Sequence, residues 1–329
     1  MWINKKIVLL AALLSGCAAV PEKQALRRWQ QEETPLRESV PGALDPDAGL
    51  ADYVRYAQLH NPGLKKALAR WQAALEEVAP ARALADPRLT YGYFVRPVET
   101  RVGPQEMRLG AAQTFPWVGT LDLKGRVALQ QAEVERQRYE VARQALVFRV
   151  KAAYYDYYYL GRVLAVTKDN LQLLAYLEEV GRARYRGGTG AHQAVLKAQV
   201  ELGRLEDKLR SLREMQRPAA AQLNAALGRP ATVPVAVPDA LPVAAFSAGG
   251  LAARLQAANP TLRISQAQVA VAELAVELAG KKYYPELTLG VDYIRTGAAR
   301  GIAPPDDSGK DPLVAMATIG LPIWRASYR

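Results

Sequence analysis

Between Arg88 and Arg96 the chain alternates: Leu89, Tyr91, Tyr93 and Val95 interleave with Arg88, Thr90, Gly92 and Phe94. Period two predicts a β-strand over these nine residues. Across the loop Pro97–Pro104, Glu106–Thr114 predicts a partner strand with Met107, Leu109 and Ala111 on one face. The pattern returns near the C-terminus. Glu286–Ile294 carries Leu287, Leu289, Val291 and Tyr293, and the polar loop Arg295–Pro312 leads to a last strand, Val314–Leu321. Such strands approach the ~9–11 residues of a tilted membrane strand. Two soluble hairpins are the plainer reading of the strands alone. Four strands cannot close a barrel in one chain, so a membrane reading requires several copies.

Between the hairpins the pattern becomes helical. From Thr120 to about Arg186 there is no proline, glycine is confined to Gly125, Gly161 and Gly181, and strong helix formers dominate. At ~1.5 Å per residue this predicts a helix on the order of 100 Å long, which points to a coiled coil or a tube wall. Gly187-Gly188-Thr189-Gly190 predicts a turn. A second helix, Ala191–Leu227, then ends on Gly228-Arg229-Pro230. Upstream, Asp52–Leu59 predicts a short helix, and Asn61-Pro62 opens another that runs to about Leu84 before Asp86-Pro87. Stacked end to end, Pro62–Leu84 and Ala191–Leu227 nearly equal the single long helix. That match favours a hollow helical cylinder with strands at one end.

An internal repeat organises these elements. At a constant offset of 198, Asn61-Pro62 meets Asn259-Pro260, Leu64 meets Leu262, Ala69 meets Ala267, Val78 meets Val276, Pro87 meets Pro285 and Gly92 meets Gly290. After a loop of different length, Phe115-Pro116 meets Leu321-Pro322. The expected organisation is a signal segment (1–16), an N-terminal extended segment (17–46) and a first repeat (47–228, with a β-hairpin at 88–114 and a helical hairpin at 120–228). A connecting segment (229–250) packs as an equatorial belt outside the helices. A second repeat (251–329, β-hairpin 286–321) is incomplete: roughly a hundred residues of the template have no counterpart, so the chain reads as C-terminally cut.

The N-terminus has the layout of a bacterial secretory signal: Lys5 and Lys6, then the apolar run Ile7–Leu14, too short to span a bilayer. Leu14-Ser15-Gly16-Cys17 resembles the lipobox of bacterial lipoproteins, which implies cleavage before Cys17 and acylation of its thiol, with palmitate among the chains. The alternative is an ordinary signal with a chance cysteine. Ala18 after the cysteine fits sorting to the outer membrane.

Composition narrows the chemistry. The formal charge of +11 is spread along helices among acidic residues, which describes a solvated face rather than a nucleic-acid site. One cysteine excludes an internal disulfide, and His60 and His192 lack metal-ligand spacing. No metal site, cofactor or catalytic residue is expected, because no nucleotide loop, nucleophile elbow or zinc-protease motif occurs. The cluster Tyr154–Tyr159 is scattered around its helix by the 3.6-residue period, which favours packing over a ligand cage. Tyr91, Tyr93 and Tyr293 are either interfacial anchors or lumen-facing.

Several pieces together resemble the TolC-like outer-membrane efflux proteins. They are Phe115-Pro116-Trp117-Val118-Gly119, Ala153-Tyr154-Tyr155-Asp156-Tyr157-Tyr158, Arg184-Tyr185-Arg186-Gly187-Gly188 with Val195-Leu196-Lys197-Ala198-Gln199, and the two Asn-Pro-x-Leu pairs. The resemblance implies a mainly α fold with membrane β-hairpins: a long helical hairpin tunnel in the periplasm, and four strands per subunit contributing to a trimeric β-barrel of the outer membrane. It implies a homotrimer serving as a passive export conduit, with a periplasmic adaptor and an inner-membrane efflux pump as partners and outer-membrane lipid around it. The Phe-Pro-Trp variant is closest to the heavy-metal branch. The adaptor would dock at the hairpin tip, at Arg184, Tyr185, Gly187, Gly188 and Gly190. The plain alternative for that tip is a helix-hairpin turn that needs glycine. The rival reading of the whole is a lipid-anchored periplasmic coiled-coil scaffold without channel activity.

Overall fold

The computed structural model describes residues 20–38, 44–45, 48–238, 241, 249–301, 303 and 305–323. The expected signal segment, 1–16, lies outside them. The described residues fall into two compact units: one from residues up to Leu26, Gln72–Val134 and Ile264 onward, the other from Arg27–Trp71 and Glu135–Arg263.

The first described element is a helix, α1 (Val20–Glu38). This corrects the extended segment expected over 17–46. Pro21 is harmless in a first turn, where its missing N–H has no partner to lose. The helix also carries Pro35. Its placement comes from distant partners: Glu22 accepts from Arg82 at 3.2 Å, and Glu32 accepts from the Tyr139 hydroxyl at 2.9 Å. Next come α2 (Leu50–His60), α3 (Pro62–Glu76) and α4 (Val78–Arg82). The helix expected from Pro62 to Leu84 therefore breaks at Glu77. Pro80 has no N–H to give the Glu76 carbonyl, and its ring crowds that carbonyl.

The long helix expected from the proline-free run is α5 (Thr120–Arg186), and the one expected between the glycine turn and Gly228 is α6 (His192–Leu227). The latter continues through Pro218. The second repeat supplies α7 (Leu251–Ala258), α8 (Pro260–Gly280) and a 3-10 turn, Lys281–Tyr283.

The helical unit buries Leu223, Leu227 and Val150 completely, with Trp71, Tyr139, Tyr154 and Tyr157 nearly so. Helix α2 packs on α6. Its Tyr53 ring meets Tyr154 edge-on at 5.3 Å, and Trp71 lies 6.0 Å from Tyr139. The tyrosine cluster thus splits by helical phase: Tyr154 and Tyr157 face the core, while Tyr155 and Tyr159 remain exposed. The Tyr157 hydroxyl donates to Val235 O at 2.8 Å. Asn224, fully buried, donates to Ala231 O and Val233 O at 3.2 and 2.8 Å and accepts from Arg229 Nε at 2.8 Å. These bonds lay the segment after α6 against the helices.

The repeat is visible in its junctions. Asn61 N–H closes α2 on Ala57 O at 2.9 Å, while its side-chain oxygen accepts from Gly63 N at 2.8 Å and Leu64 N at 3.3 Å to open α3. Asn259 closes α7 on Leu255 O at 3.0 Å and opens α8 by accepting from Thr261 N at 2.9 Å. An Asx residue followed by proline is suited to both tasks, since its side chain satisfies free N–H groups and proline fits the first helical position.

The other unit holds the sheet. Strands β1 (Arg88–Tyr93), β3 (Gly103–Phe115), β4 (Glu286–Thr296) and β5 (Leu313–Gly320) run antiparallel in that order, with the short β2 (Glu99–Thr100) on β3. The expected strand 88–96 stops at Tyr93, and its partner starts earlier, at Gly103. The hairpin of one repeat is thereby zipped to the hairpin of the other along β3 and β4, with a bulge between Gln105 and Met107.

Candidate functional site

Two features carry functional geometry: the sheet and the turn between α5 and α6. The sheet register fixes which residues share a face. Leu89 pairs with Ala111, Ala111 with Val291, and Val291 with Ala315. The next row of that face is Tyr91, Leu109, Tyr293 and Leu313, and toward the other end lie Phe115, Leu287 and Ile319. These apolar side chains are exposed, Leu89 at 79% and Leu313 at 71%. Tyr93 belongs to the same face. The question of phase left open for Tyr91, Tyr93 and Tyr293 is answered: all three stand on the apolar face.

The opposite face is polar and small. Its rows read Arg88, Ala112, Gly290, Met316, then Thr90, Gly110, Asp292, Val314, then Thr114, Thr288, Thr318. Thr114 and Thr288 hydroxyls lie 2.9 Å apart. Arg108 donates to the Asp292 carboxylate, which is buried. Gly110 makes room for that carboxylate, since a Cβ there would run into Asp292 Oδ1. Within the described residues the outer edges of β1 and β5 have no strand partner.

The loops at one end of the strands are stitched across the repeats. Arg101 donates to both oxygens of Asp307, Gly309 N donates to Val102 O at 2.7 Å, and Arg300 N donates to Glu99 Oε1 at 3.1 Å.

At the α5–α6 turn, Gly188 has φ +74 and ends α5 in a Schellman arrangement. Thr189 N donates to Arg184 O at 2.9 Å, and Gly188 N to Tyr185 O at 3.0 Å. Gly190 passes so close that a Cβ would sit 3.0 Å from Arg184 Cβ and Tyr185 N, whereas a Cβ on Gly188 would meet nothing within 4 Å. Tyr185 lies 4.9 Å from the His192 ring across the turn. The structure thus brings Arg184, Tyr185, Gly187, Gly188 and Gly190 into one turn. Sequence reasoning missed Glu178, nearly buried just below it, which accepts from Arg182 at 2.6 Å and Gln199 at 2.9 Å. Both bonds hold its carboxyl below the usual carboxylate range. The Glu178–Arg182 spacing of four was the available signal; the reach to Gln199 depends on the hairpin.

Cys17 lies outside the described residues. Among those described, no group of three His, Cys, Asp or Glu side chains could hold a metal ion. No described helix is long and apolar enough to cross a membrane.

Known proteins resemble this chain in sequence or in fold. Protein CyaE of Bordetella pertussis is 27% identical over 263 residues, which are 77% of this chain and 56% of that protein. The chain therefore spans just over half the length of this relative. The outer membrane protein VceC of Vibrio cholerae superposes with a TM-score of 0.62 at 19% identity, covering 90% of this chain and 70% of that one. The MtrE outer membrane channel of Neisseria gonorrhoeae, in its open state, gives 0.62 at 17% identity over 84% and 63%. At such identities the two structures speak for the fold alone. The sequence profile described as outer membrane efflux protein matches residues 54–229, more than half the chain, from within α2 through the whole helical hairpin. With the repeat, the hairpins and the matched span in agreement, the chain belongs to the outer membrane efflux protein family.

Proposed function

We propose that this chain is the channel subunit of an efflux system, a passive conduit through the outer membrane. The observation that carries this reading is the two-faced open sheet: an exposed apolar face, a polar face of small residues, and two edges unpaired within the described residues. In hydrocarbon an unpaired edge costs several kcal/mol per group, so only closed barrels persist there. Pairing β5 of one copy with β1 of the next closes the edges, and three copies of four strands make a twelve-stranded barrel. The apolar face then meets lipid and the polar face lines the lumen.

The turn at Arg184, Tyr185, Gly187, Gly188 and Gly190 is the periplasmic tip in this reading, where an adaptor linked to an inner-membrane pump docks. The exposure of Tyr185 at this turn supports that reading. Cys17 is the lipid-anchored N-terminus of the mature chain. The protein performs no chemistry, and its energy comes from the pump. The Phe115-Pro116-Trp117 run supports a cargo of the heavy-metal class. The proposed layout is a first repeat over 47–228, a connector over 229–250 and a second repeat from 251.

Cysteines at Thr90 and Thr318, on the outer strands, test closure. Oxidation in membranes should yield a covalent ladder ending at three subunits, and the reconstituted chain should conduct in planar bilayers. A chain that stays monomeric and non-conducting on vesicles is a periplasmic scaffold instead.

A further inference from the structure

A cavity of about 560 Å³ opens where the strand ends meet the start of α5 and the end of α8. The Trp117 and Tyr284 rings lining it stack with centroids 5.1 Å apart and planes 16° apart. Three lysines surround them, Lys124, Lys281 and Lys282. Lys281 Nζ donates to Val118 O at 3.3 Å and lies 5.6 Å from the Tyr284 ring. Lys124 and Lys282 are exposed and have no acidic partner among the described residues. Thr120 Oγ1, on the cavity wall in the first turn of α5, is buried without a hydrogen-bond partner.

The internal repeat shows that the fold does not require this chemistry. At the offset of 198, the first repeat places Ala83, Leu84 and Asp86 where the second has Lys281, Lys282 and Tyr284, although Pro87 and Pro285 still coincide. At these three positions the second junction has two lysines and a ring in place of Ala, Leu and Asp, while Arg82 and Arg88 of the first meet Gly280 and Glu286, so the cations are relocated rather than added. The apolar face of the sheet reaches the same place: Phe115 stands two residues before Trp117, and its row neighbours Leu287 and Ile319 adjoin the cavity residues Glu286 and Gly320. Glu286 belongs to the opposite, polar face.

We infer that this cavity binds the phosphate of an anionic phospholipid from the leaflet at the helix end of the barrel. Lys124 and Lys282 meet the headgroup, the Trp117–Tyr284 stack forms the wall at carbonyl depth, and the acyl chains run along Leu287 and Ile319. Lysines beside an aromatic pair at a strand end suit an interface whose lipid carries negative charge. This inference rests on the reading of the sheet as lipid-facing.

The test uses the purified 329-residue chain in neutral detergent. It is titrated with brominated phosphatidylglycerol and brominated phosphatidylcholine, reading quenching of tryptophan emission, with inorganic phosphate as competitor. Phosphatidylglycerol should bind about tenfold more tightly. The Lys124→Gln/Lys282→Gln variant should lose about fivefold per lysine, the worth of one cation near an anionic headgroup. Lys124→Arg/Lys282→Arg should keep the preference, Lys65→Gln/Lys66→Gln should leave it intact, and Trp117→Phe should remove the quenched component. Equal binding of the two lipids, an unchanged glutamine variant, or full displacement by millimolar phosphate would each overturn the assignment. Lipid selectivity in detergent from a chain that never inserts into vesicles would sink the conduit reading and leave this site standing.

Discussion

The side-chain amide of Asn61 donates to Ala226 O at 3.0 Å, tying the α2–α3 junction to the last turn of α6 across 165 residues of sequence. The contact is possible because Gly228 ends α6 at φ +77 and lies within 3.1 Å of Pro62 Cδ, measured from where its Cβ would be. Asn61 therefore serves two elements at once and is buried, whereas the cap made by Asn259 is exposed. Asn61→Ala removes a cap and strands a buried carbonyl, a loss of about 2–3 kcal/mol. Asn259→Ala removes a cap alone, at ~1 kcal/mol. Thermal unfolding of the two variants should rank them in that order; equal shifts would mean the Ala226 bond contributes nothing.

The same pair shows what the sequence can and cannot reveal. Asn61-Pro62 announces a helix boundary locally, and the offset to Asn259-Pro260 announces a repeat. Neither says that Ala226 waits at the other end of the side chain, because that bond exists only once α6 has folded back. Helix α5 is legible for the same local reason: over sixty residues without proline leave the backbone one economical choice. Alternation marked the strands, but their face could not be assigned until register paired Tyr91 with Leu109 and Leu109 with Tyr293. Helix α1 was illegible, since its prolines argue against it and the partners that hold it, Arg82 and Tyr139, lie far along the chain. Buried Asp292 was hidden likewise, its cation being Arg108 on a strand of the other repeat.

Acid should loosen the hairpin near its tip. The Glu178 carboxyl is held below the usual carboxylate range by Arg182 and Gln199. A depressed folded-state value means that the stabilisation is complete above the unfolded value and disappears as pH falls through the folded one. Amide exchange over residues 175–200 should therefore accelerate below the ordinary carboxylate range, beyond the intrinsic rate change. Glu178→Gln should raise exchange at neutral pH and flatten its pH dependence. A profile identical in wild type and variant would show that another group titrates.

The tip glycines should separate into two kinds. Gly188 needs its left-handed backbone but has open space around it, while Gly190 needs the space. Gly188→Asn, which tolerates that backbone, should fold normally; Gly188→Val should cost about 1–2 kcal/mol locally. Gly190→Val must displace Arg184 or Tyr185. Site-specific cross-linking to the adaptor should thus survive Gly188→Asn, and fall for Gly188→Val and Gly190→Val. Cross-linking unaffected by all three would leave the turn as a plain helical connection.

The two faces of the sheet should respond oppositely to charge. Tyr91 and Thr90 are neighbours near the middle of β1, one on the apolar face and one on the polar face. An arginine facing hydrocarbon near the bilayer centre costs about 2–4 kcal/mol, whereas one facing a water-filled lumen costs little. Tyr91→Arg should lower the yield of membrane-inserted protein and the temperature at which the oligomer dissociates in detergent. Thr90→Arg should leave both nearly unchanged. It adds a positive charge to a face that already holds Arg88 and the Arg108–Asp292 pair, so it should instead shift ion selectivity toward anions in planar bilayers. The reverse outcome, a tolerated Tyr91→Arg and a damaging Thr90→Arg, would turn the barrel inside out. Equal tolerance at both positions would mean that the sheet never enters lipid.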